Sequence, residues 1–495
     1  MNSKGLKLKW QQDRWLVISV IVILLLRLFF IGAMGLMPQD AYYHFYSQHP
    51  ALSYYDHPPA IAWVLRLFTT LFGKHVYTIK LADSIITLFT IISFYYFARC
   101  FLSRHRTQRA LLMLFSTLMV TILSLVSTPD TPLVLCWTLS LLALYHALFL
   151  HKKTYWLLAG ICMGLAFDSK YTAVFLPAGL LLFLLLSSTH RRYLLTAWPW
   201  LAMLLFALTI SPVIIWNVEN NFASFAFQSA SRIDNIDRKT FSLTNFLGVI
   251  GHQSFILIPI LFFALLVFLY KIIKKYKARL LRIPARQLFL LCFFIPLFGC
   301  FFCLSFVYWV KLNWMMPSYI AGIVLLSIYI RERWIRLQLI VSLTLHLLLA
   351  IEVLFYPIVV KSDDTWEGWE SLQEQVRSLH QHYPGAFIFS ADDYKTSAVL
   401  NFYLDEMVYG KNVIGERALQ FDYIGTDLRL LKGKDALFID SRPRDFNKDR
   451  SNEVLPALNG YFDTIEELSP IIIMKNNRII RKFLVYHCTN YNYHL

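Results

Sequence analysis

Long runs of Leu, Ile, Val and Phe, broken by short polar segments, dominate the first 357 residues. They lie near 16–37, 79–101, 110–127, 132–150, 155–168, 172–187, 194–216, 246–270, 287–309, 314–330 and 337–357. This pattern predicts about eleven transmembrane helices, because roughly 20 apolar residues cross a ~30 Å hydrocarbon layer. The pair 155–168 and 172–187 is short, which predicts tilt or a break. The first run is too long for a signal-peptide core and lacks a small-residue cleavage site, so it reads as a retained helix. After residue 357 the pattern changes. "WESLQEQVRSLHQHY" has the period of an amphipathic helix, "AFIFS" and "DALFID" read as short strands, and "SPIIIMKNNRIIRKFLVYHC" reads as a hairpin about Asn476-Asn477. The expected organisation is an α-helical polytopic membrane domain over 1–357 and a small α/β soluble domain over 358–495. No internal repeat or low-complexity linker is visible, so an inverted-repeat transporter has no support.

Composition sharpens this. The 495 residues are 57% hydrophobic and 16% charged, with mean hydropathy +0.50; a soluble protein carries about 25% charged residues. The net charge of +16 is uneven. Residues 358–495 hold 16 Lys and Arg against 20 Asp and Glu, and residues 1–357 hold 31 against 11. With the N-terminus in the cytoplasm, the clusters Lys4/Lys7/Lys9/Arg14, Arg99–Arg109, Lys152-Lys153, Arg191-Arg192, Lys271–Arg286 and Arg331–Arg336 all face inward. Positive-inside bias therefore accounts for the basic balance without nucleic acid as a partner. It assigns 38–78 and everything after 357 to the outer side of a bacterial inner membrane. Six of the seven cysteines lie in apolar helices, Cys300-x-x-Cys303 among them, and read as small hydrophobes rather than metal or redox groups.

The charges left on the outer side are few. Asp40 and Asp56 lie in "PQDAYYHFYSQHPALSYYDHPP" with Tyr42, Tyr43, Tyr54, Tyr55 and His57; Asp130 lies in "STPDTPLVLCW", Lys170 and Tyr171 in "DSKYTAVFLP", Lys311 in "VKLNWMMPSY" and Arg232 in "FQSASRID". Each has a structural reading: helix caps for Asp40 and Asp130, an Asx turn for Asp56, snorkelling for Lys170 and Lys311, an interfacial belt for the tyrosines. Acids, cations and aromatics gathered at one face point instead to a site for a polar group delivered from the lipid.

"DAYYHFYSQHPALSYYDHPPAIAWVLRLFTTLFG" resembles the first outer loop of bacterial lipid-dependent glycosyltransferases of the protein O-mannosyltransferase and aminoarabinose-transferase (ArnT-like) type. "TPDTPLVLCWTLSLLALYHAL", "WLLAGICMGLAFDSKYTAVFLP", "SPVIIWNVENNFASFAFQ", "KLNWMMPSY" and "ADDYKTSAVLNFYL…ALQFDY" continue the resemblance in order over roughly 15–435. It implies a C-type glycosyltransferase fold with a periplasmic soluble domain, a polyprenyl-phosphate sugar donor, and a glycolipid or protein acceptor at the membrane. It also implies Asp40 as catalytic base, with Asp130 orienting it or the acceptor. Lys170, His57, Lys311 and Arg232 would bind the donor phosphate, Tyr42, Tyr43, Tyr54, Tyr55 and Tyr171 would line the substrate, and Asp56 is a candidate ligand for a divalent cation. Many relatives carry two adjacent acids where this chain has Gln39-Asp40. A flippase for lipid-linked sugars and a non-catalytic lipid-binding subunit are the competing readings.

Overall fold

The computed structural model describes residues 18, 21–229, 241–277, 280–404, 406–441 and 451–493. Every predicted span has a helical counterpart among the described residues. Val76–Phe101, Asp130–Phe149, Ala285–Leu304 and Glu332–Phe355 are long and apolar enough alone, and four bent pairs raise the total to eight among the described residues. The runs 155–168 and 172–187 appear as the shorter helices Thr154–Phe167 and Tyr171–Leu186. The run 314–330 yields only Ser318–Leu326.

Proline explains three of the breaks, since its ring clashes with the preceding helical turn while suiting the first turn of the next helix. Pro38 opens Pro38–Gln48 at 84° to Ile21–Ala33, Pro212 lies in the first turn of Ser211–Glu219 at 46° to Ala197–Thr209, and Pro259 opens Pro259–Tyr276 at 114° to Leu243–Leu257. The last of these divides the run 246–270, which therefore does not form one straight span. Arg104–Phe115 and Leu118–Leu125 meet at 61°; there the Ser116 and Thr117 hydroxyls donate back to the carbonyls of Met113 and Leu114 and end the helix.

Backbone groups freed by a break at membrane depth have no water to turn to. Gln338, on the helix Glu332–Phe355, serves two breaks together. Its Nε2 donates to Ser116 Oγ at 3.0 Å and to the Leu257 carbonyl at 2.8 Å, and its Oε1 accepts the Leu261 N–H at 3.1 Å. Gln338→Leu is expected to lower stability by at least about 2 kcal/mol, because several buried polar groups lose their partners together. A thermal-unfolding curve of the variant in detergent that overlays the wild type would refute this role.

At the other end of the chain a five-stranded sheet has the order β2-β1-β3-β5-β4. The strands are β1 Phe387–Phe389, β2 Val408–Tyr409, β3 Ala436–Ser441, β4 Phe462–Lys475 and β5 Arg478–Tyr491. β1 pairs in parallel with β2 and β3, while β5 is antiparallel to β3 and β4. The β4–β5 turn is Asn476-Asn477, both with positive φ, the two-residue loop that matches strand twist. The helix Trp369–His382 buries Trp369, Leu372 and Val376. Arg481 lies over the Trp369 ring at 3.9 Å and pairs with Asp363 at 3.1 Å. Burial lowers the Arg481 pKa to about 10, against the pull of Asp363.

This sheet does not stand apart from the first loop. Leu36, Tyr42, Phe45, Ile61 and Leu65 share one hydrophobic core with Trp369, Ile388, Val399, Phe421 and Phe483. The helix Val76–Phe101, about 39 Å long at 1.5 Å per residue, then sets two ends of the bundle. Lys80 lies beside Asp40 at the end that carries the sheet, and Arg99 lies at the opposite end.

Candidate active site

The helix Pro38–Gln48 starts at a proline and carries Asp40 in its first turn, where the carboxylate accepts the Met37 N–H at 3.0 Å. Two further donors fall on it: Lys80 Nζ at 2.8 Å and the Ser127 N–H at 2.8 Å. Asp40 and Lys80 are both 0% exposed. Lys80 also donates to the Leu125 carbonyl at 3.0 Å, and the Ser127 hydroxyl donates to the buried Asp83. Asp40 is thus the knot between the first loop, the helix Val76–Phe101 and the segment that leads into Asp130. A carboxylate so enclosed is poorly placed to receive a proton from an acceptor.

Asp130 opens the helix Asp130–Phe149 and is 1% exposed. Lys170 Nζ lies 2.9 Å from both of its carboxylate oxygens, and the Asn313 amide donates to it as well. Lys170 leaves the C-terminal end of Thr154–Phe167 through Asp168 and Ser169. The Asp168 carbonyl accepts the Ala60 N–H at 2.9 Å, which ties this turn to the His57-Pro58-Pro59 segment. The structure therefore brings Asp130 and Lys170 together as one buried ion pair. Lys311 is exposed two residues before Asn313 on the same loop.

Asp56 accepts the hydroxyls of Tyr42, at 3.2 Å, and Tyr46, and its carbonyl accepts Gln228 Nε2 at 2.6 Å. Tyr42 stacks on Tyr394 of the C-terminal segment with centroids 4.2 Å apart, and its hydroxyl accepts the Gln420 N–H. Tyr43 is buried, and its ring meets that of Tyr46 edge-on at 5.5 Å. The His57 ring lies 5.9 Å from that of Tyr43. Tyr55 stacks on Tyr423 at 5.0 Å, and its N–H donates to Gln420. Tyr171 bonds Ser224 at 2.6 Å. Tyr54 belongs to the core: it is 1% exposed, stacks on Tyr46 and donates to the Tyr46 carbonyl. Arg232 lies outside the described residues.

Among the described residues no three His, Cys, Asp or Glu side chains are grouped as a metal ion would require, at Asp56 or elsewhere. Two tyrosine hydroxyls fall on the Asp56 carboxylate.

Several residues escaped the sequence reading. Lys80 and Asp83 carried a usable signal, because ionisable residues inside a membrane helix are functional candidates by default. Asp168, buried with both carboxylate oxygens unpartnered among the described residues, sat within the quoted "DSKY". Asn313, Gln420 and Tyr394 lie within segments that carry the resemblance, but only the fold brings Asn313 to Asp130 and the other two to the first loop.

The architecture is a helical bundle with a buried acid–cation pair at the end that carries a small sheet. Residues 56–216 match the family model described as dolichyl-phosphate-mannose-protein mannosyltransferase. The chain is 25% identical over 320 residues to lipid A galacturonosyltransferase RgtD of Rhizobium johnstonii, a match covering 64% of this chain and 66% of that relative. Its fold matches ArnT of Cupriavidus metallidurans bound to undecaprenyl phosphate with a TM-score of 0.61 at 14% identity, over 95% of this chain and 98% of that one. The apo form of the same ArnT gives the same score over 96% and 98%. The chain thus has the ArnT-like C-type fold, together with sequence likeness to the same group of transferases.

Proposed function

We propose that the protein transfers a sugar from a polyprenyl-phosphate donor to a cell-envelope glycolipid of the lipid A type, at the outer face of the bacterial inner membrane. The observation that carries this reading is the buried Asp130–Lys170 pair, whose turn is tied through the Asp168 carbonyl and the Ala60 N–H to the segment that carries Asp56. Support for the donor comes from the matched family's description and from the lipid held by the ArnT structure. Support for the acceptor comes from the name of the relative RgtD.

Displacing a lipid phosphate from an anomeric carbon puts negative charge on the leaving oxygen, so the site needs fixed positive charge there. Lys170 is the buried cation for that place. An ammonium has three donors and Asp130 takes two of its contacts, which leaves one for a phosphate oxygen. His57 and the exposed Lys311 lie on loops joined to the same pair and are assigned to the phosphate's outer oxygens. The donor's polyprenyl chain stays in the bilayer, and Tyr43, Tyr55 and Tyr171 present amphipathic rings at headgroup level.

A flippase places its site near the bilayer midplane between repeats, whereas the acids and cations here lie at one end. The test is made on cells. Mass spectrometry of lipid A with and without the gene is expected to show one added sugar residue that depends on the protein, and unchanged lipid A contradicts the acceptor assignment. The same placement requires a reporter active only in the periplasm, fused after Leu495, to be active. Activity of a cytoplasm-only reporter at that point would overturn the orientation.

A further inference from the structure

We propose that Asp364, held in position by Gln39, is the general base that takes the proton of the acceptor hydroxyl. This rests on the sugar-transfer reading above. A base must be reachable by the acceptor and keep a lone pair for it. The carboxylates that the sequence brings forward are already engaged: Asp40 is enclosed by three donors, Asp130 holds Lys170 and Asn313, and Asp56 accepts two tyrosine hydroxyls. Asp364 differs, with a side chain 49% exposed. Gln39 Nε2 donates to its Oδ1 at 2.8 Å, and Lys395 Nζ lies 3.6 Å from the same oxygen. Among the described residues Oδ2 has no partner.

The pairing also orients Gln39. A carboxylate only accepts, so the amide nitrogen must face Asp364 and the amide oxygen must point away. That Oε1 is buried and unpartnered among the described residues. One substrate hydroxyl on Oδ2 of Asp364 and a neighbouring one on Oε1 of Gln39 would satisfy both. The location fits. Gln39 lies one turn before Tyr42 and Tyr43, and Tyr42 stacks on Tyr394. Asp364 pairs with Lys395, the chain neighbour of Tyr394, and Asp56 accepts the Tyr42 hydroxyl, so both carboxylates belong to the cluster built on this pair of rings.

In the step itself, an oxygen lone pair of the acceptor forms the new bond to the anomeric carbon. The bond from that carbon to the phosphate oxygen breaks, and its electron pair leaves on the polyprenyl phosphate. The acceptor proton passes to Oδ2 of Asp364 and from there to water. The base is thus supplied by the segment after the last span, and the shared core of the first loop and the sheet keeps it beside Gln39.

The test uses full-length protein in nanodiscs, a lipid extract containing undecaprenyl-phosphate sugars as donor, and purified lipid A as acceptor. Asp364→Asn is expected to lower the transfer rate at least about a hundredfold, the lower range for loss of a general base. Its affinity for undecaprenyl phosphate should stay within about twofold of wild type, since the loss is one of chemistry and not of binding. Lys395→Met, which removes the ion pair and leaves the carboxylate, should retain transfer within about threefold. Normal transfer by Asp364→Asn overturns the proposal alone. So does an equal loss in Lys395→Met, which would make the ion pair the feature that matters. A wild-type protein that consumes no donor defeats the transfer reading, and the proposal falls with it.

Discussion

Lys170→Met is expected to cut sugar transfer about a hundred- to a thousandfold, the scale on which one preorganised contact to developing charge acts in a site shielded from water. Lys170 is 7% exposed and sits at the end of two short apolar helices, so no bulk solvent replaces it. The single variant also strips Asp130 of a partner and leaves it to Asn313, which destabilises the fold by itself. The double variant Lys170→Met/Asp130→Asn separates the two effects. It removes the orphaned charge and should recover most of the lost thermal stability while remaining inactive. Recovery of transfer along with stability would show that Lys170 serves only to neutralise Asp130.

The second large effect is on folding. Lys80→Met leaves the Asp40 carboxylate fully buried with two backbone N–H donors and no countercharge. Breaking a buried pair from one side costs about 3–5 kcal/mol, whereas replacing both partners costs far less. Lys80→Met is therefore expected to be produced poorly or to unfold well below wild type. Asp40→Asn/Lys80→Met should recover in part: it carries no buried charge, but the Met37 and Ser127 N–H groups bond different carboxylate oxygens, so the amide oxygen keeps one of them and the amide nitrogen faces the other. Transfer by this double variant within about tenfold of wild type identifies Asp40 as the knot that positions Asp130 through Ser127. A stable but inactive double variant would return the catalytic base to Asp40.

These contrasts mark what the sequence carries. Periodicity and length located the helices of the apolar spans, Trp369–His382, four of the five C-terminal strands and the Asn476-Asn477 hairpin, because each depends on local pattern and turn chemistry. They did not locate the helices Ala60–Phe72 and Lys395–Tyr403 or the two-residue β2. Hydropathy sums through a bend: 246–270 is apolar on both sides of Ile258, and only Pro259 hints at the 114° turn. The comparisons bear out the resemblance drawn from the first loop at the level of fold and class. Site geometry was less legible. Asp130 and Lys170 stood out as polar residues in apolar surroundings, yet nothing in the chain says that they pair with each other across 40 positions. Asp40 drew attention for the same reason, and its partner Lys80 was hidden in an apolar helix. Asp364, Tyr394 and Gln420 reach the first loop only through a shared core assembled from segments more than 300 residues apart. Local pattern cannot report such contacts.

The central claim is that this bundle breaks the bond between a sugar and a polyprenyl phosphate. The direct measurement is donor turnover by purified full-length protein in nanodiscs, with the sugar and the lipid of the donor separately labelled and lipid A as acceptor. The account predicts that free polyprenyl phosphate appears in step with labelled lipid A, and that both signals vanish in Lys170→Met/Asp130→Asn. Intact donor recovered after prolonged incubation, with neither product formed above a protein-free control, would contradict it.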